Sequence, residues 1–580
     1  MRLPQGTRLP VLLTVLAFLA GVGYRLGLMI FDAPPTNSDE ATMGLAALHI
    51  SRGQEFPVWF YGQSYMGTLE AWLAAPLFAV AGPSTLGLRL PTLAMYALFV
   101  LLIWRLTLRL TGDRWFALLV VGLLALGSDR IVKNQLIAGG GYPEMNVVGA
   151  ALALLAYGLA TGRPGHRLPR WTVWGFLAGL MLWVDPLVLP YVAGTGLVLV
   201  AFRWRELRGR AGALLALGAL IGAAPLLVDS LVAGRNPLAA VLTASGAEQS
   251  AGWADRLHGG LVLGPALGMG FCDPGRCAGW QLWWTAALPV LLIAAALTAL
   301  HTLRTHRPTH PDPATSTLSV FGPTTSGTVT SGQVTAGTAV SRTAASGPVA
   351  SRAVSWGAGG AGAGTPARVG AAVALALVGA AVATMAAYTV SSAAGRTPVE
   401  SARYLSCLLI SVPVLLWPLW TAARRRRLPT DVAPDLRLAG RRAATAQVAA
   451  VVVLTATLGT ATVATAGTVS RISAVHADER RHTALVAALR ERGVRHVYGT
   501  YWTCNRLTFA SAEDVVCAVV DDNLRPGHDR YRPYREAVRA AAAPAWVAPA
   551  GSPLAARLDQ RPGSLDLLTV EGWHVYLPRA

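Results

Sequence analysis

Long apolar blocks recur along this chain, separated by short polar joints. They fall at 9–31, 86–108, 114–128, 145–161, 171–184, 187–202, 211–233, 279–300, 367–391, 404–421 and 445–467. A helix needs about 20 apolar residues to cross the hydrocarbon core of a bilayer. The pattern therefore predicts a polytopic α-helical membrane protein with about 11 spans. The first block reads as a retained span: it carries Arg25 near its outer end and lacks a small-residue cleavage site.

Two stretches break the pattern. From 302 to 366 the chain is rich in Thr, Ser, Gly and Ala without periodicity, which predicts a disordered cytoplasmic linker. After 467 helix and strand patterns alternate. Ala484–Glu491 reads as an amphipathic helix stopped by Gly493, Val494–Tyr501 and Val515–Val520 as strands, Tyr534–Ala541 as a helix and Leu567–Tyr576 as a last strand. The expected organisation is a transmembrane core over 1–301 with a first outside loop at 32–85, the linker at 302–366, further transmembrane helices over 367–467, and a small α/β domain over 468–580.

Charge supplies the orientation. Arg2 and Arg8, then Arg105, Arg109 and Arg114, then Arg163, Arg167 and Arg170, then Arg203 to Arg210, Arg304 and Arg307, and Arg424 to Arg427 all fall in alternate joints. Cytoplasmic loops collect such residues, so the N-terminus is expected inside and the C-terminal domain outside the cytoplasmic membrane. A net charge of +19 would suit a nucleic-acid binder, but its place in these joints argues for a lipid bilayer and no nucleic acid. Across the 580 residues, 53% hydrophobic and 14% charged side chains exclude a soluble protein of ordinary surface.

The chemistry-bearing residues gather in the predicted outside joints. Asn37-Ser38-Asp39-Glu40 puts two acids just after the first span. They read either as a helix N-cap or as a general base beside the membrane. Glu144 follows three glycines, Tyr142 and Pro143, and serves a helix start or a substrate contact equally well. Asp185 sits in Trp183-Val184-Asp185-Pro186, a turn signal or a contact. Arg130 and Lys133 are outside cations suited to a lipid phosphate or to anionic head groups. Arg403-Tyr404 suits phosphate binding or interfacial anchoring. Cys504 with Cys517, and Cys272 with Cys277, are candidate disulfides. Tyr501, Trp502, Tyr531 and Tyr534 are either sugar-stacking aromatics or core. Asp521-Asp522-Asn523 reads as a turn before it reads as a metal site.

One segment sharpens the reading. It runs Tyr61-Gly62-Gln63-Ser64-Tyr65-Met66-Gly67-Thr68-Leu69-Glu70-Ala71-Trp72, with Gly87, Arg89, Leu90 and Pro91 further on and the acidic pair upstream. Together these residues resemble the N-terminal region of the protein-mannosyltransferase and aminoarabinose-transferase superfamily of membrane glycosyltransferases. The resemblance implies a multi-span fold and a polyprenyl-phosphate sugar donor. It also implies an acceptor on the outer face, whether protein, glycolipid or wall polymer. It makes Asp39 the essential acidic residue of the first outside loop, acting as base, with Glu40 its catalytic neighbour and Tyr65, Glu70, Tyr142, Glu144, Asp185, Arg403 and Tyr404 as substrate contacts, to which the outside cation Lys133 adds. An Asp-Lys-Pro-Pro run common among such proteins is replaced here by Gly67-Thr68-Leu69-Glu70, which leaves the donor sugar open. No metal ligand is assigned, although Asp39, Glu40 and Glu144 together would suit a divalent cation. The alternatives are a transporter or flippase and a non-catalytic membrane scaffold.

Overall fold

The computed structural model describes residues 5–162, 165–234, 236, 250–306, 365–424, 434–561 and 565–579. Positions 307–364 of the expected linker lie outside the described residues.

Each expected apolar block coincides with a helix or a broken pair of helices. Among the described residues, eight helices are long and apolar enough to cross a membrane. Two bent pairs raise the number to ten: Arg114–Ala125 with Asp129–Leu136, at 88°, and Arg210–Gly222 with Ala224–Ala233, at 60°. The remaining expected span is the helix Arg167–Val184, which opens on two arginines and is less apolar. Small residues hold it in place. Gly175 and Gly179 lie so close to Arg210–Gly222 that a Cβ at either would meet a carbonyl oxygen at 2.0 Å, and Gly218 and Gly222 return the contact. Glycines four apart on both helices allow backbone-to-backbone packing without a large apolar surface.

The first bend is held by a cation. Arg25, fully buried on the first helix, donates to the carbonyls of Leu124, Ala125 and Leu126 at 3.0–3.3 Å and to Gln135 at 2.8 Å. Those carbonyls end the helix Arg114–Ala125. A helix C-terminus leaves such acceptors unpaired and carries partial negative charge, so a guanidinium there offsets both costs.

The loop at 32–85 is folded. Its helices Ser38–Ser51 and Leu69–Ala81 pack together over one end of the bundle. Phe509 and Tyr534 of the C-terminal domain complete their apolar core. The domain is joined to the bundle by a helical stretch, Ala443–Glu491. At 1.5 Å per residue this stretch spans roughly 70 Å, well beyond a hydrocarbon core of about 30 Å.

The domain's sheet has five strands: β1 (His496–Gly499), β2 (Val516–Val519), β3 (Ala545–Pro549), β4 (Leu565–Val570) and β5 (Trp573–Pro578). Their spatial order is β2-β1-β3-β5-β4, parallel across β2, β1 and β3 and antiparallel beyond. The sequence reading needs three corrections. The single strand expected at Leu567–Tyr576 is a hairpin turning at Glu571-Gly572. β3 was not expected. The connection from β1 to β2, which carries Cys504, is the helix Tyr501–Ala510, also not expected. The structure bonds Cys504 to Cys517, stapling that helix to β2, and Cys272 to Cys277 around a Pro-Gly turn. Asp521 forms a turn, its Oδ1 accepting from the Asn523 and Arg525 N–H groups.

Candidate functional site

The two neighbouring acids of the first loop point to opposite environments. Asn37 caps the helix Ser38–Ser51 by accepting from the Glu40 N–H at 2.8 Å. That cap sets Asp39 and Glu40 in the first turn, about 100° apart around the axis. Glu40 is fully buried, and Arg89 grips both of its oxygens at 2.7 and 2.6 Å. The structure therefore places Glu40 in a bidentate buried ion pair, not beside Asp39 in an open pair of acids.

Asp39 faces the C-terminal domain. Its Oδ1 accepts from the Tyr501 hydroxyl at 2.6 Å and from Arg530 Nη2 at 3.0 Å. Arg530 Nε also donates to the Tyr501 oxygen, at 2.8 Å. Oδ2 has no partner among the described residues. Ser38 locks the seam, donating to the Tyr501 carbonyl at 2.7 Å and accepting from Asn505. Burial and the Asp39 charge push the Tyr501 phenol up to about 12, so it stays a donor at neutral pH.

The glycine run forms the next wall. A Cβ on Gly139 would lie 3.3 Å from the Glu40 nitrogen, and one on Gly141 3.0 Å from both Asp185 and Val184. Gly141 also takes a φ of +71°, a backbone that suits glycine. Asp185 is buried and caps the turn at Leu187, whose N–H it accepts at 2.8 Å. Burial pushes its carboxyl up to about 7, against that hydrogen bond and the charge of Arg403. Tyr142 and Tyr404 set their ring centroids 5.8 and 5.6 Å from the Arg403 guanidinium carbon, a cation–π arrangement. The Arg403 Nε is buried without a hydrogen-bond partner. Tyr65 lies within electrostatic reach of Tyr404, Arg403, Arg530 and Asp185.

Glu70 and Glu144 sit behind the glycines, both buried. Glu70 accepts weakly from the Gly140 N–H at 3.4 Å. Burial first, and then the charge of Glu144, push its carboxyl well above the usual range. Lys133 is paired with Asp129 at 2.8 Å. Arg130 instead turns to the backbone carbonyls of Val399 and Glu400, beside Arg403. No group of three His, Cys, Asp or Glu side chains among the described residues is placed to hold a metal ion. The set Asp39, Glu40 and Glu144 does not converge, because Arg89 occupies Glu40.

The structure thus brings Asp39, Tyr65, Tyr142, Asp185, Arg403 and Tyr404 to one end of the bundle and sets Glu40, Glu70 and Glu144 beneath them. Sequence reasoning missed Arg530 and the role of Tyr501. It also missed the seam around them. His49 meets Tyr61 at 2.7 Å and Glu513 at 2.9 Å, Tyr534 donates to Glu513 at 2.8 Å, and Tyr531 and Tyr61 both donate to Glu55. The four aromatics read as one group divide here: Tyr501 serves Asp39, Tyr531 and Tyr534 serve the seam, and Trp502 stands 62% exposed.

No protein-family model matches the chain, and no curated protein matches its sequence. Solved structures do match. ArnT from Cupriavidus metallidurans in the apo state superposes with a TM-score of 0.54 at 13% identity, over 99% of this chain and 98% of that one. The same protein bound to undecaprenyl phosphate gives 0.53 at 13% identity, over 98% and 97%. Likeness to the Archaeoglobus fulgidus oligosaccharyltransferase is weaker, at 0.47 and 11% identity. Among the described residues, this multi-pass membrane chain has the fold of ArnT.

Proposed function

We propose that the protein transfers a sugar from a polyprenyl-phosphate donor to an acceptor on the outer face of the cytoplasmic membrane. The observation that carries this reading is the pairing of an accessible carboxylate with a buried guanidinium that keeps one N–H unpartnered. Asp39 keeps one oxygen free, and the Arg403 Nε is buried with nothing to bond. An unpaired buried charged donor is costly unless a ligand satisfies it. A phosphate oxygen is a natural acceptor for it. ArnT, whose fold this chain shares, has been solved with undecaprenyl phosphate, which supports the same class of lipid here.

The steps follow from these positions. Asp39 Oδ2 takes the proton of the acceptor hydroxyl or amine as that atom attacks the anomeric carbon. The bond from that carbon to the phosphate oxygen breaks, and polyprenyl phosphate leaves with the electron pair. Arg403 stabilises the charge developing on it. Tyr501 and Arg530 hold Asp39 by its other oxygen, so its orientation is set before substrate arrives. A single displacement inverts the anomeric centre. Tyr65, Tyr142, Asp185 and Tyr404 line the approach as substrate contacts, with Glu70 and Glu144 as polar support beneath.

The test is transfer from radiolabelled polyprenyl-phosphate sugars by membranes carrying wild type or Asp39→Asn. Asn keeps the shape and removes the base. The expected loss is about 10²–10⁴-fold at equal expression. Equal transfer by both would remove Asp39 from the mechanism. One observation favours a second reading, transport of a lipid-linked envelope component. Glu70 and Glu144 form a buried acidic pair without a cation, and such groups mark proton-coupled pathways. Movement of labelled lipid without sugar transfer, lost in Glu70→Gln, would favour that reading.

A further inference from the structure

The C-terminal sheet has a feature that the Asp39 chemistry does not use. β1 lies between β2 and β3, parallel to both. The chain leaves β1 through the helix Tyr501–Ala510 to reach β2 on one side, and leaves β2 through Arg532–Ala540 to reach β3 on the other. In open α/β sheets a crevice opens at the carboxyl ends of strands where such connections diverge, and ligands bind there. A cleft of about 720 Å³ occupies that place, lined at the strand ends by Thr500, Val520 and Pro549. Its size lies in the range of ligand pockets, about 300–1,000 Å³.

The side chains around it define a chemistry. Trp502, in the first turn after β1, offers its indole to the cleft, and Trp573 at the start of β5 contributes a second. Asp522 and Glu571 are exposed carboxylates without a partner among the described residues. The lining carboxylates Asp478, Asp521, Asp522 and Glu571 outnumber the two lining arginines, of which Arg481 pairs with Asp478 at 2.9 Å and Arg506 with Glu479 at 2.7 Å while its Nε carries no hydrogen bond. A phosphate or other anion would meet unneutralised acids there. A polyhydroxylated neutral molecule would meet them without repulsion. Its hydroxyls donate to carboxylates, and its C–H faces lie on indole rings.

The cleft also communicates with Asp39. Tyr501 lines it, packs edge-on against Trp502 with centroids 5.1 Å apart, and donates to Asp39. We infer that this cleft binds a neutral oligosaccharide, the acceptor chain whose growing end is presented to Asp39. The inference rests on the transferase reading for the word acceptor, but the binding site stands on its own geometry.

The experiment reads binding alone. Full-length protein in nanodiscs, labelled with a fluorophore, is applied to an array of neutral hexose and pentose oligosaccharides. Wild type, Asp39→Asn, Trp502→Ala and Asp522→Asn are compared. Saturable binding is expected in wild type and Asp39→Asn, and a loss of at least about tenfold in Trp502→Ala. Trp502 is exposed, so its removal leaves the core intact, and Asp522→Asn gives a second, isosteric check with a smaller loss. No binding on the array, or binding equal in wild type and both cleft variants, overturns the inference. Because Asp39→Asn is read for binding and not turnover, failure of the transferase reading leaves this result interpretable.

Discussion

The floor and the roof of the Asp39 site are built on different principles. The floor belongs to the membrane bundle and its first loop: Glu40 with Arg89, Glu70 with Glu144, and three glycines that let backbones touch. Its polar groups are buried, with Glu40 held by Arg89 and the Glu70 and Glu144 acids left without a cation. The roof belongs to the C-terminal domain: Tyr501 and Arg530 on Asp39, and the His49, Glu55 and Glu513 seam beside them. Its polar groups are mostly buried too, with Arg530 10% and Glu513 18% exposed, but they reach across several hundred residues of chain. Under the proposed reaction, the difference gives the floor to stability and the roof to placing the Asp39 carboxylate.

The strongest way to break that contrast is to attack the floor. Arg89→Leu leaves the Glu40 carboxylate buried without its cation, a change that costs about 3–5 kcal/mol. The purified protein should lose thermal stability and membrane yield. Arg89→Leu with Glu40→Leu should recover most of the loss, because an apolar pair of similar volume needs no counter-charge. If Arg89→Leu folds as well as wild type and only transfer falls, then Glu40 belongs to the chemistry and the contrast fails.

The floor was also the part legible in the sequence. Lipid forces the backbone into helices, so apolar length alone marked the spans. Asp39 and Glu40 stood out as a pair, but nothing local said that Arg89, 49 residues on, would take one of them. The roof left no such trace. Arg530 lies 491 residues from Asp39 and Tyr501 lies 462 away, and no periodicity encodes a contact of that length. The hairpin of β4 and β5 was hidden for a different reason. Two-residue hairpin turns favour Asn-Gly or Asp-Gly. Here Glu571 takes the first position with a φ of +42°, so an apolar run appeared continuous across it. β3 was hidden by the Ala- and Pro-rich stretch around it.

A roof that places Asp39 should be tunable without harming the fold. Arg530→Met removes one hydrogen bond to a charged group, and kcat should fall about tenfold. The KM for donor should hold, since Arg530 touches Asp39 and not the proposed phosphate site. Arg530→Lys should recover part of the rate. A variant that loses thermal stability as much as Arg89→Leu would show that the roof, too, is structural. Tyr501→Phe tests the same oxygen from its other donor, and its effect on kcat should be comparable or smaller.

The smallest expected effect is on pH, at the seam. Burial works against the Glu513 carboxylate, but hydrogen bonds from His49 and Tyr534 and the charges of His49 and Arg52 outweigh it and hold the carboxyl below its ordinary value of 4.5. A group whose folded value is depressed contributes stability that is complete above its unfolded value and is lost as pH falls through the folded one. Docking of the domain on the first loop should therefore be complete above the ordinary carboxyl value of 4.5 and should loosen as pH falls below it through the depressed folded value. Hydrogen exchange at Tyr531–Tyr534 reads this directly, with the strands of the sheet as an internal control for global unfolding. Glu513→Gln should exchange faster at neutral pH and lose the acid-dependent step. An identical acid response in Glu513→Gln and wild type would move the titration to another group. The seam's hold on Asp39 would then rest on Tyr501, Arg530 and Ser38 alone.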